Sequence, residues 1–241
     1  MNAIVSAAVF LLLITALPRT VLGESSHGAG SEQSEISRAL RLLNQQPKTQ
    51  SNIAESKEIL TPLAKGDDEE GCVAKYLLAR IADLHEEPSD PRLAIRLYDE
   101  LIGARPEHQL AQKAVVKRLM LSLYQGTSDP RYLLEQAEKW SSRLTDAGAL
   151  RDYHLVMGRS LSFFEGDMSR ARSHFEAAAA IGLNDPINRA NVLVTIAELF
   201  REAGQPELAR PYYEKFLADY SRDQRQRIVQ ERLKEMAAKQ P

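Results

Sequence analysis

The 241-residue chain has one cysteine, Cys72. No internal disulfide can form, and no cysteine-based metal site is available. Aromatic residues make up only 6%, with one Trp, which disfavours a sheet protein built on large cross-strand pairs. Charge of one sign is not in excess: 31 basic residues face 33 acidic ones, a formal net charge of -2. A general nucleic-acid binder needs a basic excess or stripe, so none is expected. The same balance gives no drive toward anionic membrane surfaces. Nucleotide-binding patterns (Gly-x-x-x-x-Gly-Lys-Ser/Thr, Gly-x-Gly-x-x-Gly) and the hydrolase elbow Gly-x-Ser-x-Gly are missing. The five histidines, His27, His85, His108, His154 and His174, form no His-x-x-x-His or His-Glu-x-x-His pair. Asp67–Glu70 lacks the alternating oxygen ligands and glycine of a calcium loop, and fits better as a complement to the positive start of the following helix. Neither a cofactor nor catalysis is expected, although the many carboxylates leave a catalytic pair open.

Long hydrophobic runs are also scarce, with one exception. Ala3 to Leu17 is almost wholly apolar. As a helix it spans roughly 22 Å, short of the roughly 30 Å of a bilayer core. Pro18 ends the run, and Val21 and Gly23 stand at the -3 and -1 positions of a cleavage site. Residues 1–23 therefore read as a signal peptide, with an uncleaved anchor as the alternative, although Lys and Arg are lacking ahead of the apolar run. A lipoprotein is excluded, since no cysteine follows it. Residues 24–33 read as a polar, Gly/Ser-rich leader. The expected setting is a bacterial envelope, periplasmic or secreted, without stable membrane insertion after cleavage. The absence of Asn-x-Ser/Thr agrees with it. Cys72 in such a setting is expected to be a buried apolar residue.

From Ser34 onward the apolar spacing is helical. Leu193, Ile196, Ala197 and Phe200 recur at i, i+3, i+4 and i+7. A Gly204–Pro206 turn follows, then Leu208, Tyr212, Phe216 and Tyr220 at every fourth position. The same helix-turn-helix pattern covers Met157–Phe164 with Ala171–Ala179, and Tyr76–Leu84 with Ala94–Ile102. It recurs more weakly in Val115–Tyr124 with Leu133–Trp140, and in Ile36–Leu43 with Ile53–Leu63. Ala171 and Ala209 are 38 residues apart in equivalent places, a spacing that marks stacked repeats. Residues 222–241 read as a capping helix with Ile228, Leu233 and Met236 turned inward.

These units resemble tetratricopeptide (TPR) repeats, and the 38-residue spacing leaves room for a related helical repeat with a slightly longer unit. The resemblance is carried by Ala197, Gly204, Ala209, Tyr213 and Leu217 in the final unit. In the unit before it, Gly158, Gly166, Ala171, Phe175 and Ala178 carry it, with one extra residue in the first half. Ala82, Ala94, Tyr98 and Pro106 carry it in the unit from Lys75. The resemblance implies an all-α fold: a right-handed α-solenoid of about five helix pairs over residues 34–221. It also implies a scaffold that binds other proteins or peptide segments along the first helix of each pair. The partner-facing candidates are then Asn191, Glu198 and Arg201 in the last pair, a basic patch of Lys113, Lys117 and Arg118, and Arg80 and Arg159 on neighbouring first helices. Arg and Lys there would pair carboxylates of an acidic or C-terminal segment; the plainer alternative is ordinary solvated charge. A cell-wall-acting enzyme and a structural homo-oligomer are the rival functions, and the oligomeric state is left open.

Overall fold

A computed structural model describes residues 34–47, 49–126, 128–182 and 186–238. The signal-peptide and leader expectations, residues 1–33, lie outside the described residues. The protein is all-α: among the described residues there are eleven α-helices and no strand. They are α1 (Glu35–Asn44), α2 (Gln50–Leu63), α3 (Glu69–Leu84), α4 (Pro91–Ala104), α5 (Gln109–Gln125), α6 (Pro130–Glu138), α7 (Ala147–Ser160), α8 (Met168–Ile181), α9 (Pro186–Glu202), α10 (Pro206–Asp219) and α11 (Gln226–Ala238). No described helix is long and apolar enough to cross a membrane.

The chain divides into two compact units, Met1–Ile59 and Leu60–Pro241. In the first, α1 buries Ile36, Ala39, Leu40 and Leu43. Ser56 on α2 donates its hydroxyl to the Ala39 carbonyl at 3.2 Å and to the Asn52 carbonyl at 2.8 Å. Arg38 pairs with Glu55 at 2.6 Å across the same two helices.

In the second unit the helices pack in adjacent pairs, α3 with α4, α7 with α8 and α9 with α10. First helices of neighbouring pairs also meet, α3 with α5 and α5 with α7. The punctuation is chemical. Asp68, Asp90, Asp129, Asp146 and Asp167 each cap a helix start, accepting a backbone N–H of the first turn. Asp68 belongs to the acidic run, which thus serves the N-terminal end of α3, as expected. Pro91, Pro130 and Pro206 occupy first-turn positions, where a missing N–H leaves nothing unpaired.

Small residues set the distance between paired helices. Ala82, Ala94, Ala171, Ala197 and Ala209 are all buried. At Gly158 the approach is tight: a Cβ there would stand 3.0 Å from the Ala171 carbonyl oxygen and 3.1 Å from the Phe175 ring. The residues that follow Gly158 form a π turn, Leu161–Glu165. Gly166 closes it at φ 67°, a left-handed conformation that suits glycine. Cys72 is buried.

Three sequence expectations need correction. Helix α11 buries Val229 and Met236, whereas Ile228 is exposed. Val229 and Met236 are two full turns apart and share a face; Ile228 is rotated about 100° from Val229. Leu208 is likewise exposed, because Ala209, Tyr213 and Phe216 form the inward face of α10. Helix α6 stops at Glu138, before Trp140.

Candidate functional site

Helices α3, α5 and α7 lie side by side, and each presents charged residues at helical spacing toward the others. On α3 these are Arg80 and Asp83, with Tyr76 one turn earlier. On α5 they are Lys113 and Lys117, one turn apart. On α7 they are Arg151, Asp152 and, two turns beyond Asp152, Arg159. The groups sense one another electrostatically. The Lys117 ammonium is pushed down to about 8, first by burial and then by the Arg80 guanidinium; Asp152 and Asp83 act in the opposite direction. Burial also lowers Lys113, against the pull of Asp146 and Asp152. It raises Asp83, against Arg80 and Lys117. Arg151 holds Asp152 through two hydrogen bonds, of 2.9 and 2.7 Å.

The floor of this cluster is aromatic and polar. Burial pushes the Tyr76 hydroxyl up, with the Arg80 guanidinium acting in the opposite direction. Tyr98 of α4 packs its ring 5.9 Å from that of Tyr76. Its hydroxyl is buried without a hydrogen-bond partner, as is Nε of Arg80. Buried polar atoms of this kind are rare in folded proteins.

The register between α5 and α7 is fixed by one side chain. Gln112 is buried; its amide donates to the Thr145 hydroxyl at 2.8 Å, and its oxygen accepts from Thr145 N at 2.8 Å and Asp146 N at 2.7 Å. Farther along, Tyr124 and Ser160 join the two helices hydroxyl to hydroxyl at 2.9 Å. Beside them lies Arg159. Burial lowers its guanidinium below the usual range, with Tyr124 opposing. No carboxylate among the described residues pairs with it.

The structure thus brings together Arg80, Lys113 and Lys117, and sets Arg159 on the same helix as Asp152. Arg118 does not join them. One position after Lys117, it is turned toward α4, pairing with Asp99 at 2.6 Å and lying 5.3 Å over the Trp140 ring. The three candidates of the last pair have another occupation. The Asn191 side-chain oxygen accepts from Arg225 at 2.7 Å. Glu198 accepts from the Tyr213 hydroxyl at 2.6 Å and from Arg201, and approaches Arg232 at 3.5 Å. Burial acts to raise the Glu198 carboxyl, but the bonds from Tyr213 and Arg201 outweigh it and hold it low. Arg225 stacks 5.2 Å over Phe216. These groups fasten α11 to α9 and α10.

Two features were missed in the sequence. Asp83, Asp152 and Tyr124 belong to the cluster, and the spacing Lys113, Lys117, Tyr124 on one stripe of α5 was the available signal. His154 and His174 meet, Nδ1 to Nδ1, at 2.8 Å, and His174 reaches Glu138 at 3.3 Å. Twenty residues and a turn separate them, so no motif could show it. Elsewhere an open cleft of about 580 Å³ is lined by Asp129, Arg131, Tyr132, Glu135, Glu165 and Arg170. Its charges are largely satisfied internally: Arg170 pairs Glu165 and Asp129 caps α6. Against this geometry, no protein-family model, no curated protein and no solved structure matches the chain.

Proposed function

We propose that this protein is an exported, non-catalytic scaffold of TPR type that binds acidic segments of partner proteins across α3, α5 and α7, in the assembly or maintenance of a bacterial envelope. Export rests on the N-terminal sequence, and the TPR kinship on the residues quoted for it. The observation that carries the binding reading is a charge imbalance. Five cations, Arg80, Lys113, Lys117, Arg151 and Arg159, stand on the three helices; the carboxylates that act on Lys113 and Lys117 are Asp83, Asp146 and Asp152, and Arg159 has Tyr124 beside it. Holding cations this close while partly desolvating them is unfavourable in the free protein. A carboxylate placed among them would relieve it, and charge-assisted bonds there would be strong.

The reading is tested with three pools of fluorescein-labelled peptides, acidic, neutral and basic, titrated by fluorescence polarisation at low and moderate salt. The acidic pool is expected to bind, more weakly as salt rises. Lys117→Glu should abolish that binding while leaving the circular dichroism spectrum unchanged. Equal binding of all pools, or indifference to Lys117→Glu, would overturn it.

A further inference from the structure

At the far end of the same face the chemistry changes from charge to aromatic surface. Tyr124 lies two turns beyond Lys117 on α5, and Phe163 one turn beyond Arg159, within the π turn. Their rings are 6.4 Å apart, and Phe164 completes the group at 5.3 Å from Tyr124 and 4.8 Å from Phe163. Phe163 is 65% exposed. A large aromatic ring left in water beside a half-buried cation that has no acidic partner among the described residues is a surface made for contact. It is not needed for core packing: the buried residue of this π turn is Leu161.

We infer that the occupant is an extended acidic peptide whose large apolar side chain packs on Phe163 and Phe164, about three residues from a carboxylate held by Arg80 and Lys117. This rests on the proposed acidic-segment reading and adds its spacing. Two helical turns from Lys117 to Tyr124 cover about 10.5 Å at about 1.5 Å per residue. An extended chain rises about 3.3 Å per residue, so the distance is three peptide residues. Arg159 stands beside the aromatic group and takes a second acidic side chain next to the apolar one. Charge complementarity thus sets the class of peptide, and the aromatic group sets its register.

The test is a selection from a phage-displayed library of random 12-residue segments flanked by linker, so that no peptide carries a free C-terminus. The expected winners hold an acidic residue followed three positions later by Phe, Leu, Ile or Trp. Resynthesised winners should bind Phe163→Ser and Arg159→Gln at least fivefold more weakly than the wild type, and a winner with its apolar residue moved by two positions should lose as much. Phe163 is exposed, so its replacement does not threaten folding. Acidic winners with no fixed apolar position, or winners indifferent to Phe163→Ser, would overturn this inference and leave the acidic-segment reading standing. Winners without acidic enrichment would overturn both.

Discussion

Nδ1 of His154 lies 2.8 Å from Nδ1 of His174, so one ring must accept where the other donates. The pair joins α7 to α8, and Glu138, itself paired with Arg170, receives the far side of His174. Protonating both rings would set two donors face to face. His154 lies below its ordinary 6.5, through burial first and then through His174. The unfolded chain therefore binds the proton more readily, and stability falls as the pH drops below about 6.5. Thermal melts between pH 7.5 and 5 should show this fall, and His154→Gln should flatten it. Glu138 is separable. Burial acts to raise it, but bonds from Arg170 and His174 prevail and hold it below 4.5, so its share is lost only in more acidic solution.

Lys117 should be a residue that the fold would be better without. Its folded value of about 8 stands below the ordinary 10.5. Stability should accordingly rise with pH between those two values, since the unfolded state holds the proton longer. Lys117→Met should stabilise the protein at pH 7 by about 2 kcal/mol while removing affinity for acidic peptides. Urea titrations of both proteins at pH 7 and pH 10 check the sign.

Gln112→Leu should be damaging despite preserving volume. It leaves the N–H groups of Thr145 and Asp146 without their buried acceptor, and each such loss costs about 1–3 kcal/mol. A destabilisation of about 3 kcal/mol is expected from chemical denaturation. Amide exchange should quicken first at the start of α7.

Gly158→Val should be destabilising by about 2 kcal/mol. The new side chain meets the Ala171 carbonyl oxygen, which belongs to the backbone of α8 and cannot swing aside. Differential scanning calorimetry should show a lower midpoint. A change to Val at exposed Gly103, where a Cβ meets nothing within 4 Å, should lower it only by the difference in helix preference.

Val229→Asp should release α11 without unfolding α3 to α8. Val229 is one of the two residues that α11 buries. Limited proteolysis should then cut in the segment after Asp219, and Arg225 should lose its hold on Asn191. An intact, protease-resistant C-terminal helix in the variant would show that Asn191 and Glu198 hold α11 without the apolar contact.

The helix pairs were legible because periodicity, caps and turn residues are local. Asp146, Asp167 and Pro206 stand where the chain must turn, and Ala171 and Ala209 where helices must touch. Faces were less legible. Ile228 and Val229 are equally apolar, and only the packed array decides which one turns inward. Side-chain partners were least legible of all. Arg118 and Lys117 are neighbours in sequence and face different helices, while Asn191 and Glu198 are exposed-type residues committed to α11. Such pairings depend on helix-to-helix register, set by long-range contacts such as Gln112 with Thr145.

The π turn at Leu161–Glu165 has a consequence for how this surface could vary. A residue inserted in a loop lengthens the loop. A residue inserted in a helix and absorbed as a π turn leaves both ends in place and pushes side chains of the widened stretch outward. Phe163 stands in that stretch. Phe163 and the packing pair Gly158 and Ala171 thus occupy separate stretches, so the exposed ring is free to vary while the α7–α8 contact is held.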